Sequence, residues 1–439
     1  MILSTFPYLL PLFGVLLSCA TSLGSAASLG ETYNDCSQYQ VSSKHPPGKF
    51  GILPLLEDFP KDDPNRLDHW SYCAQCAVLK ALGSSRLADD DKVLSDCMNS
   101  ELLGPSDTSS EELLYIRPTR MEEGRHVRYF LSQWRRVEDR PVMVHEMRKR
   151  RSAQMSLLSR TTFGRSIISM IRAYASDPSG VLQPLDILVN RKNHWVLLTE
   201  PFDGTVLTLT DSMRAKKNKL VLHPSSPTFD PKKLRKKFPT MTDSFLSTLF
   251  SPLFTTINKM NRAGVVHGNV SPITLVHTPA LDGGPLPILK LGFFSHARYG
   301  QTQIREGRIK QTLVKSFRAG TPRCTPKGLL GKVSEAHLAL YLAYDTYGLT
   351  ASLQYTYVPN SLQSAPEEPS KFVDRTPSPK VIDELGPGHP LIALFQRVLD
   401  PKKWENNPIN KASFLYPLVD QWTQYGKNGF APSRLLMMQ

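Results

Sequence analysis

The chain has 439 residues, 40% hydrophobic and 21% charged, a balance that excludes a disordered polar chain and supports a sizeable buried core. At roughly 100–200 residues per domain, this length holds two or three units, or one large domain with an extension. The formal net charge is +14, yet the basic runs at Arg148–Arg151, Lys216–Lys219 and Lys232–Lys237 have no aromatics between them for base stacking, which points away from nucleic acid and toward a solvated basic face.

Residues 1–27 read as a secretory leader, with an apolar run from Tyr8 to Leu17 followed by small residues ending at Ala26 and Ala27. The run is too short to span a bilayer comfortably and has no basic stop-transfer flank. No later run reaches about 18 apolar residues, so no transmembrane span is expected in the mature chain. Residues 28–112 read as an N-terminal extension, with a proline-rich piece, a helix near His69 to Leu82 and a polar linker from Gly104 to Glu112. Cys19 leaves with the leader, whereas Cys36, Cys73, Cys76 and Cys97 fall in the extension. Four cysteines so placed predict two disulfides and an oxidising compartment, with three connectivities open. A zinc or redox half-site at Cys73-Ala-Gln-Cys76 would need a second pair, and none lies nearby. Cys324 is left over and reads as a small buried hydrophobe.

From residue 113 to 203 the pattern is β-rich. Val142-Met-Val-His145 reads as a strand and Ser152 to Ala175 as an amphipathic helix. Leu185–Val189 and His194–Thr199 read as two strands around a tight turn. Residues 204–425 read as a second unit that turns mostly helical after about residue 240, and 426–439 as a tail. Phe245 to Arg262 carries Phe245, Leu249, Leu253, Phe254, Ile257 and Met260 at helical spacing, and Ala336–Leu353 and Leu391–Leu399 are further helices. A β-rich part followed by a helical part predicts an α+β, two-lobed plan with a small β-rich N-lobe, a larger helical C-lobe and a cysteine-containing extension.

Four short motifs follow in order. They are Val266-His-Gly-Asn-Val-Ser-Pro-Ile-Thr274, Leu289-Lys-Leu-Gly-Phe-Phe-Ser-His-Ala297, Gly320-Thr-Pro-Arg-Cys-Thr-Pro-Lys-Gly328 and Tyr344-Asp-Thr-Tyr-Gly348. In this order and at these distances the chain resembles the protein-kinase family over residues 115–425. His267-Gly-Asn269 stands where that family has H-R-D, Phe293-Phe-Ser295 replaces D-F-G, and Glu200 to Gly204 stands at the hinge between lobes.

The resemblance implies which parts of the phosphoryl-transfer machinery are absent. The catalytic-base position holds Asn269, whose amide cannot accept a substrate proton. The loop residue that helps hold a second magnesium maps to Thr274. The metal-binding aspartate maps to Phe293, which offers a hard cation no oxygen. The strand lysine maps to His145. Its helical glutamate partner is missing, because residues 152–175 contain no Asp or Glu, and only Gly124 lies between 113 and 140 where a glycine-rich loop belongs. The A-P-E glutamate maps to Gly328. His267 and Asp345 are retained as structural markers, and Phe293 and Phe294 are expected to fill the space of metal and nucleotide. With Gly268 at the arginine position, a leader, an extension and no glycine loop, the chain resembles the secreted rhoptry-type kinases and pseudokinases of apicomplexan parasites, including the with-no-glycine-loop group.

The resemblance therefore implies a catalytically inactive pseudokinase without a cofactor or metal. It would act as a scaffold or allosteric partner of another protein, such as an active kinase or a host or parasite protein, in the lumen of a secretory organelle or vacuole. Two other readings stand beside it. One is an atypical active Ser/Thr kinase drawing a carboxylate from Asp203, Asp211 or Asp282. The other is a basic module that binds phosphoinositides or polyanions through Lys216–Lys219 and Lys232–Lys237.

Overall fold

The computed structural model describes residues 36, 51–82, 94, 97, 113–114, 127–134, 140–147, 153–189, 195–214, 242–279, 286–305, 308–313, 338–357, 379–399 and 412–428. The leader, Cys19, the linker at 104–112, Gly124, the three basic runs, Asp282, Gly320–Gly328 with Cys324, and residues 429–439 lie outside the described residues.

The architecture mixes helices with small antiparallel sheets. The first strands are β1 (Leu113–Leu114), β2 (Val127–Trp134), β3 (Arg140–Met147), β4 (Pro184–Val189) and β5 (Trp195–Thr199), joined into one sheet in the order β1-β2-β3-β5-β4. Alternation along these strands assigns the faces. Trp134, Val142, Val144, Leu185, Leu188, Val196 and Leu198 form one apolar cluster with Leu55 of the extension. Met143, Ile187, Trp195 and Leu197 turn the other way, into the main core. Helix α2 (Ala153–Ser176) separates β3 from β4 in the chain and contributes Ile167, Ile168, Met170 and Ile171 to that core.

The extension belongs to the same core. Its helix α1 (Arg66–Leu82) begins three residues before the expected His69 and packs along α2. Disulfides join Cys36 to Cys73 and Cys76 to Cys97, with Cα atoms 5.7 and 5.1 Å apart, which selects one of the three connectivities. Residues 51–53 dock on β4. The Asp186 carboxylate is fully buried and accepts the N–H groups of Ile52 and Leu53, each at 2.9 Å, and of Ile187 at 2.7 Å. Burial of a carboxylate is tolerated because these bonds replace its water. Gly51 precedes this contact at φ +82°, and a Cβ there would run into the carboxylate.

After the first sheet come β6 (Gly204–Thr205), α3 (Val206–Arg214) and α4 (Asp243–Arg262). Thr242 caps α4 by accepting the Phe245 N–H. The apolar stripe read from the sequence is buried in α4, joined by Leu246 and Phe250. At roughly 1.5–3 kcal/mol for each large side chain removed from water, this face alone fixes the helix in the core. Among the described residues the second half is mostly helical, as read from the sequence. Six short strands interrupt it: β6, β7 (Val265–Val266), β8 (Leu275–Thr278), β9 (Ile288–Leu291), β10 (Arg298–Arg305) and β11 (Arg308–Leu313), in two three-stranded sheets ordered β6-β8-β9 and β11-β10-β7. Strands β6 to β9, of two to four residues, are too short for a period-two pattern, and β7 and β8 are buried throughout, so no alternation marks them.

Helices α5 (Leu338–Tyr357), α6 (Pro379–Leu385), α7 (Pro390–Val398) and α8 (Ala412–Lys427) complete the chain. Asp243, at the start of α4, ties three of them to it. Its carboxylate accepts from the Tyr357 hydroxyl on α5, from Trp422 Nε1 at 3.0 Å on α8, and from Nε2 of His389, the cap of α7, at 3.1 Å. Among the described residues no helix is long and apolar enough to cross a membrane.

Candidate functional site

Three of the four motifs read from the sequence, all but Gly320–Gly328, come together near where the five-stranded sheet approaches the β6-β8-β9 sheet. Residues 267–274 form the loop between β7 and β8, and its shape is held by its own side chains. The Asp345 carboxylate, fully buried on α5, accepts the N–H of His267 at 2.7 Å and of Gly268 at 2.8 Å. Two adjacent amides turn toward one carboxylate because Gly268 adopts φ +73°, a left-handed conformation that costs glycine little. Burial raises the Asp345 pKa to about 7 against the lowering effect of both amides.

The ring of His267 is fully buried. Its Nδ1 accepts the Asn269 N–H at 3.3 Å, which places the proton on Nε2, and Nε2 donates to the Gly292 carbonyl at 2.7 Å. Burial lowers its pKa to about 4, so the imidazole is neutral at physiological pH. Thr274 closes the other end of the loop. Its hydroxyl donates to the Asn269 carbonyl at 2.6 Å and accepts the Ser271 N–H at 2.9 Å.

The turn after β9 sends its two phenylalanines to different neighbours. Phe294 is buried with its ring centroid 4.6 Å from that of His267, edge to face. Phe293 holds φ 57° and ψ 57°, the one positive-φ residue other than glycine among the described residues. A left-handed L-residue costs about 1–2 kcal/mol, so its ring contacts must compensate. Those contacts are to β3 and to the connection after β5. The Phe293 ring lies 5.6 Å from Phe202 at 87° and 5.8 Å from His145, and His145 lies 6.3 Å from Phe202. Phe293 and His145 are tilted at 44°, whereas the two pairs with Phe202 are edge-to-face and attractive beyond their burial by about 0.5–1.5 kcal/mol each.

His145 is buried on the inner face of β3. Its Nε2 lies 3.0 Å from the Thr199 hydroxyl, which donates to the Glu200 carbonyl, so the imidazole supplies the proton between them. Burial lowers its pKa to about 3 and keeps the ring neutral. Beside the cluster, Lys290 Nζ on β9 reaches Glu200 Oε1 at 2.6 Å, and the same oxygen accepts the Gln183 N–H at 2.8 Å. The Leu182 N–H donates to the Leu291 carbonyl at 2.9 Å, so the segment leading into β4 is bonded directly to β9 at this junction.

The structure thus joins His145 with Phe293, and Asn269, Thr274, His267 and Asp345 with one another, while the four bonded cysteines sit with α1. It adds Phe202, Thr199, and the Lys290–Glu200 pair, which sequence reasoning missed. Phe202 lies in an aperiodic connection, so its sole sequence signal was an aromatic in the expected hinge. Of the aspartates weighed as alternative carboxylates, Asp203 is buried and Asp211 exposed. Among the described residues no group of three or more His, Cys, Asp or Glu could hold a metal ion. Comparison with protein-family models and with curated proteins finds no match to this chain.

Proposed function

We propose that this chain is a kinase-like fold that does not transfer phosphoryl groups and works instead by binding other proteins, in the secretory route. The strand order β1-β2-β3-β5-β4, with α2 inserted between β3 and β4, supports the two-lobed reading, as does a buried loop after α4 anchored by an aspartate of a later helix. The two disulfides support folding in an oxidising compartment.

The observation that carries the proposal is the ring cluster of His145, Phe202 and Phe293. Under the kinase reading these side chains occupy the strand-lysine, hinge and metal-ligand positions. A magnesium nucleotide does not fit them. A neutral buried imidazole provides no fixed cation for phosphates, and a phenyl ring provides no oxygen for magnesium. The loop position of the base carries an amide, Asn269, and the Thr274 hydroxyl is engaged with the loop's own backbone. Function is then sought on surfaces rather than in chemistry.

The test is calorimetric titration of the purified mature chain with ATP, with and without magnesium. Absence of binding in both conditions is expected, and metal-independent binding would still fit a non-catalytic protein stabilised by nucleotide. Binding that requires magnesium would overturn the proposal.

A further inference from the structure

Helix α2 poses a question that its own sequence leaves open. It carries no Asp or Glu between residues 153 and 176, so no carboxylate of its own pairs it with the sheet. Its position is set by what packs on it, and among the described residues the extension helix α1 packs on it more extensively than any other element.

The contacts between α1 and α2 are specific. Trp70 meets Tyr174 edge-on, with centroids 5.7 Å apart. Gln75, buried on α1, is oriented by donating to the Ser71 hydroxyl at 2.9 Å and accepts Arg172 Nε at 2.7 Å through its carbonyl oxygen. The guanidinium so fixed lies 4.3 Å over the Tyr299 ring at the start of β10, and α2 also packs on the 294–296 turn. A continuous chain of contacts therefore runs from α1 through Arg172 to the strand that follows Phe293.

Both disulfides converge on α1. Cys73 and Cys76 are one helical turn apart and tie it to Cys36 on one side and Cys97 on the other. Residues 51–58 attach separately to the sheet, at Asp186 and through Glu57, which accepts Arg140 at 2.8 Å, and α1 reaches this segment through Arg66 to the Leu56 carbonyl at 2.7 Å and Trp70 Nε1 to the Pro54 carbonyl at 3.2 Å. Opening the two bonds would remove the covalent ties of α1 and leave it held by non-covalent packing alone, with the 51–58 segment still seated on β3 and β4.

We infer that α1 is a disulfide-held brace whose thiol–disulfide state sets the order of α2 and, through Gln75, Arg172 and Tyr299, of the 293–300 turn. The chemistry that releases it is exchange with a dithiol. One reductant thiolate attacks a cysteine sulfur to form a mixed disulfide, and the partner cysteine leaves as a thiolate. The second reductant thiol then closes on the first, so each bond yields two cysteine thiols and one oxidised dithiol. Nothing in this inference depends on whether the fold binds nucleotide.

The test is amide hydrogen exchange by mass spectrometry on the full mature chain, with and without dithiothreitol, with free thiols counted in parallel. On reduction, exchange in 153–176 and 294–300 is expected to rise about tenfold or more, with α4 unchanged. Unchanged exchange in α2 after all four thiols appear would overturn the inference. So would an equal rise in α4, which would mean global unfolding, or a failure of the dithiol to open either bond in the folded chain. Gln75→Leu in the oxidised protein keeps both disulfides, and is expected to raise exchange at 172–176 and 298–300 alone. No change there would refute the relay.

Discussion

Replacing Asp243 tests whether one carboxylate holds the helical part together. Asp243 is the common acceptor for Tyr357, Trp422 and His389, which lie on or cap three other helices. Trp422 is fully buried and His389 nearly so. Asp243→Ala leaves three donors without an acceptor, each worth about 1–3 kcal/mol when buried. Partial water access at the carboxylate places the total toward the lower end, at about 3–6 kcal/mol. Asp243→Asn separates geometry from charge. The amide oxygen can still accept from Tyr357 and Trp422, but its NH2 then faces His389 Nε2. That nitrogen cannot become an acceptor without moving the proton to Nδ1, which already accepts the Leu391 N–H at 3.2 Å. One donor–donor conflict survives in either tautomer, so a cost of about 1–3 kcal/mol is expected. The assay is urea unfolding at pH 7, comparing midpoints at constant slope. The bonds from His389 and Tyr357 hold the Asp243 carboxyl below its ordinary pKa despite burial. Its contribution is therefore present above the unfolded carboxyl pKa and lost as pH falls through the folded one. An Ala variant within about 1 kcal/mol of the native chain, or an Asn variant as costly as Ala, would refute the clasp.

Two further outcomes are expected. Gly51→Ala combines a left-handed backbone with a clash against Asp186, and should cost about 2 kcal/mol or more, read by denaturation and by faster proteolysis within 51–59. Acid should unfold the chain steeply, because burial depresses His145 and His277 to about 3 and His267 to about 4, whereas Asp345 is raised to about 7. Between roughly pH 6.5 and 4 the unfolded chain binds three more protons at the histidines and one fewer at Asp345. Stability should then fall by about 3 kcal/mol per pH unit on acidification, and a flat midpoint over that range would refute the assignment of neutral imidazoles.

What could be read from the sequence is what local physics determines. The α4 stripe repeats at 3.6 residues from Phe245 to Met260, and the helix starts within two residues of the position read from it. Strands β4 and β5 were legible as short β-branched runs on either side of a turn. Helix α8 was not, because Pro417 lies inside it and proline is a stop signal when only the sequence is available. The cysteine pairing was closed to sequence because Cys73 and Cys76 share one helix face, and only the paths of the flanking segments decide which reaches which. The ring cluster was half legible. His145 and Phe293 stood at motif positions, but Phe202 joins them through tertiary packing that no spacing encodes.

The loop at 267–274 shows why such a site can persist without a ligand. In an active site, polar atoms are held toward a substrate and are incompletely satisfied until it arrives. Here both His267 nitrogens are engaged within the protein, Thr274 bonds both ends of its own turn, and Asp345 takes two loop amides from below. Phe293 pays for its left-handed backbone with two ring contacts, to His145 on β3 and to Phe202 in the connection after β5. The Lys290–Glu200 pair and the bond from Leu182 to Leu291 then fasten β9 to the segments that follow β5 and precede β4. Each of these interactions is internal, so the order of the site does not wait on a nucleotide. That is the property the proposed function requires, since a protein that works by presenting its surfaces needs a junction that is rigid before any partner binds.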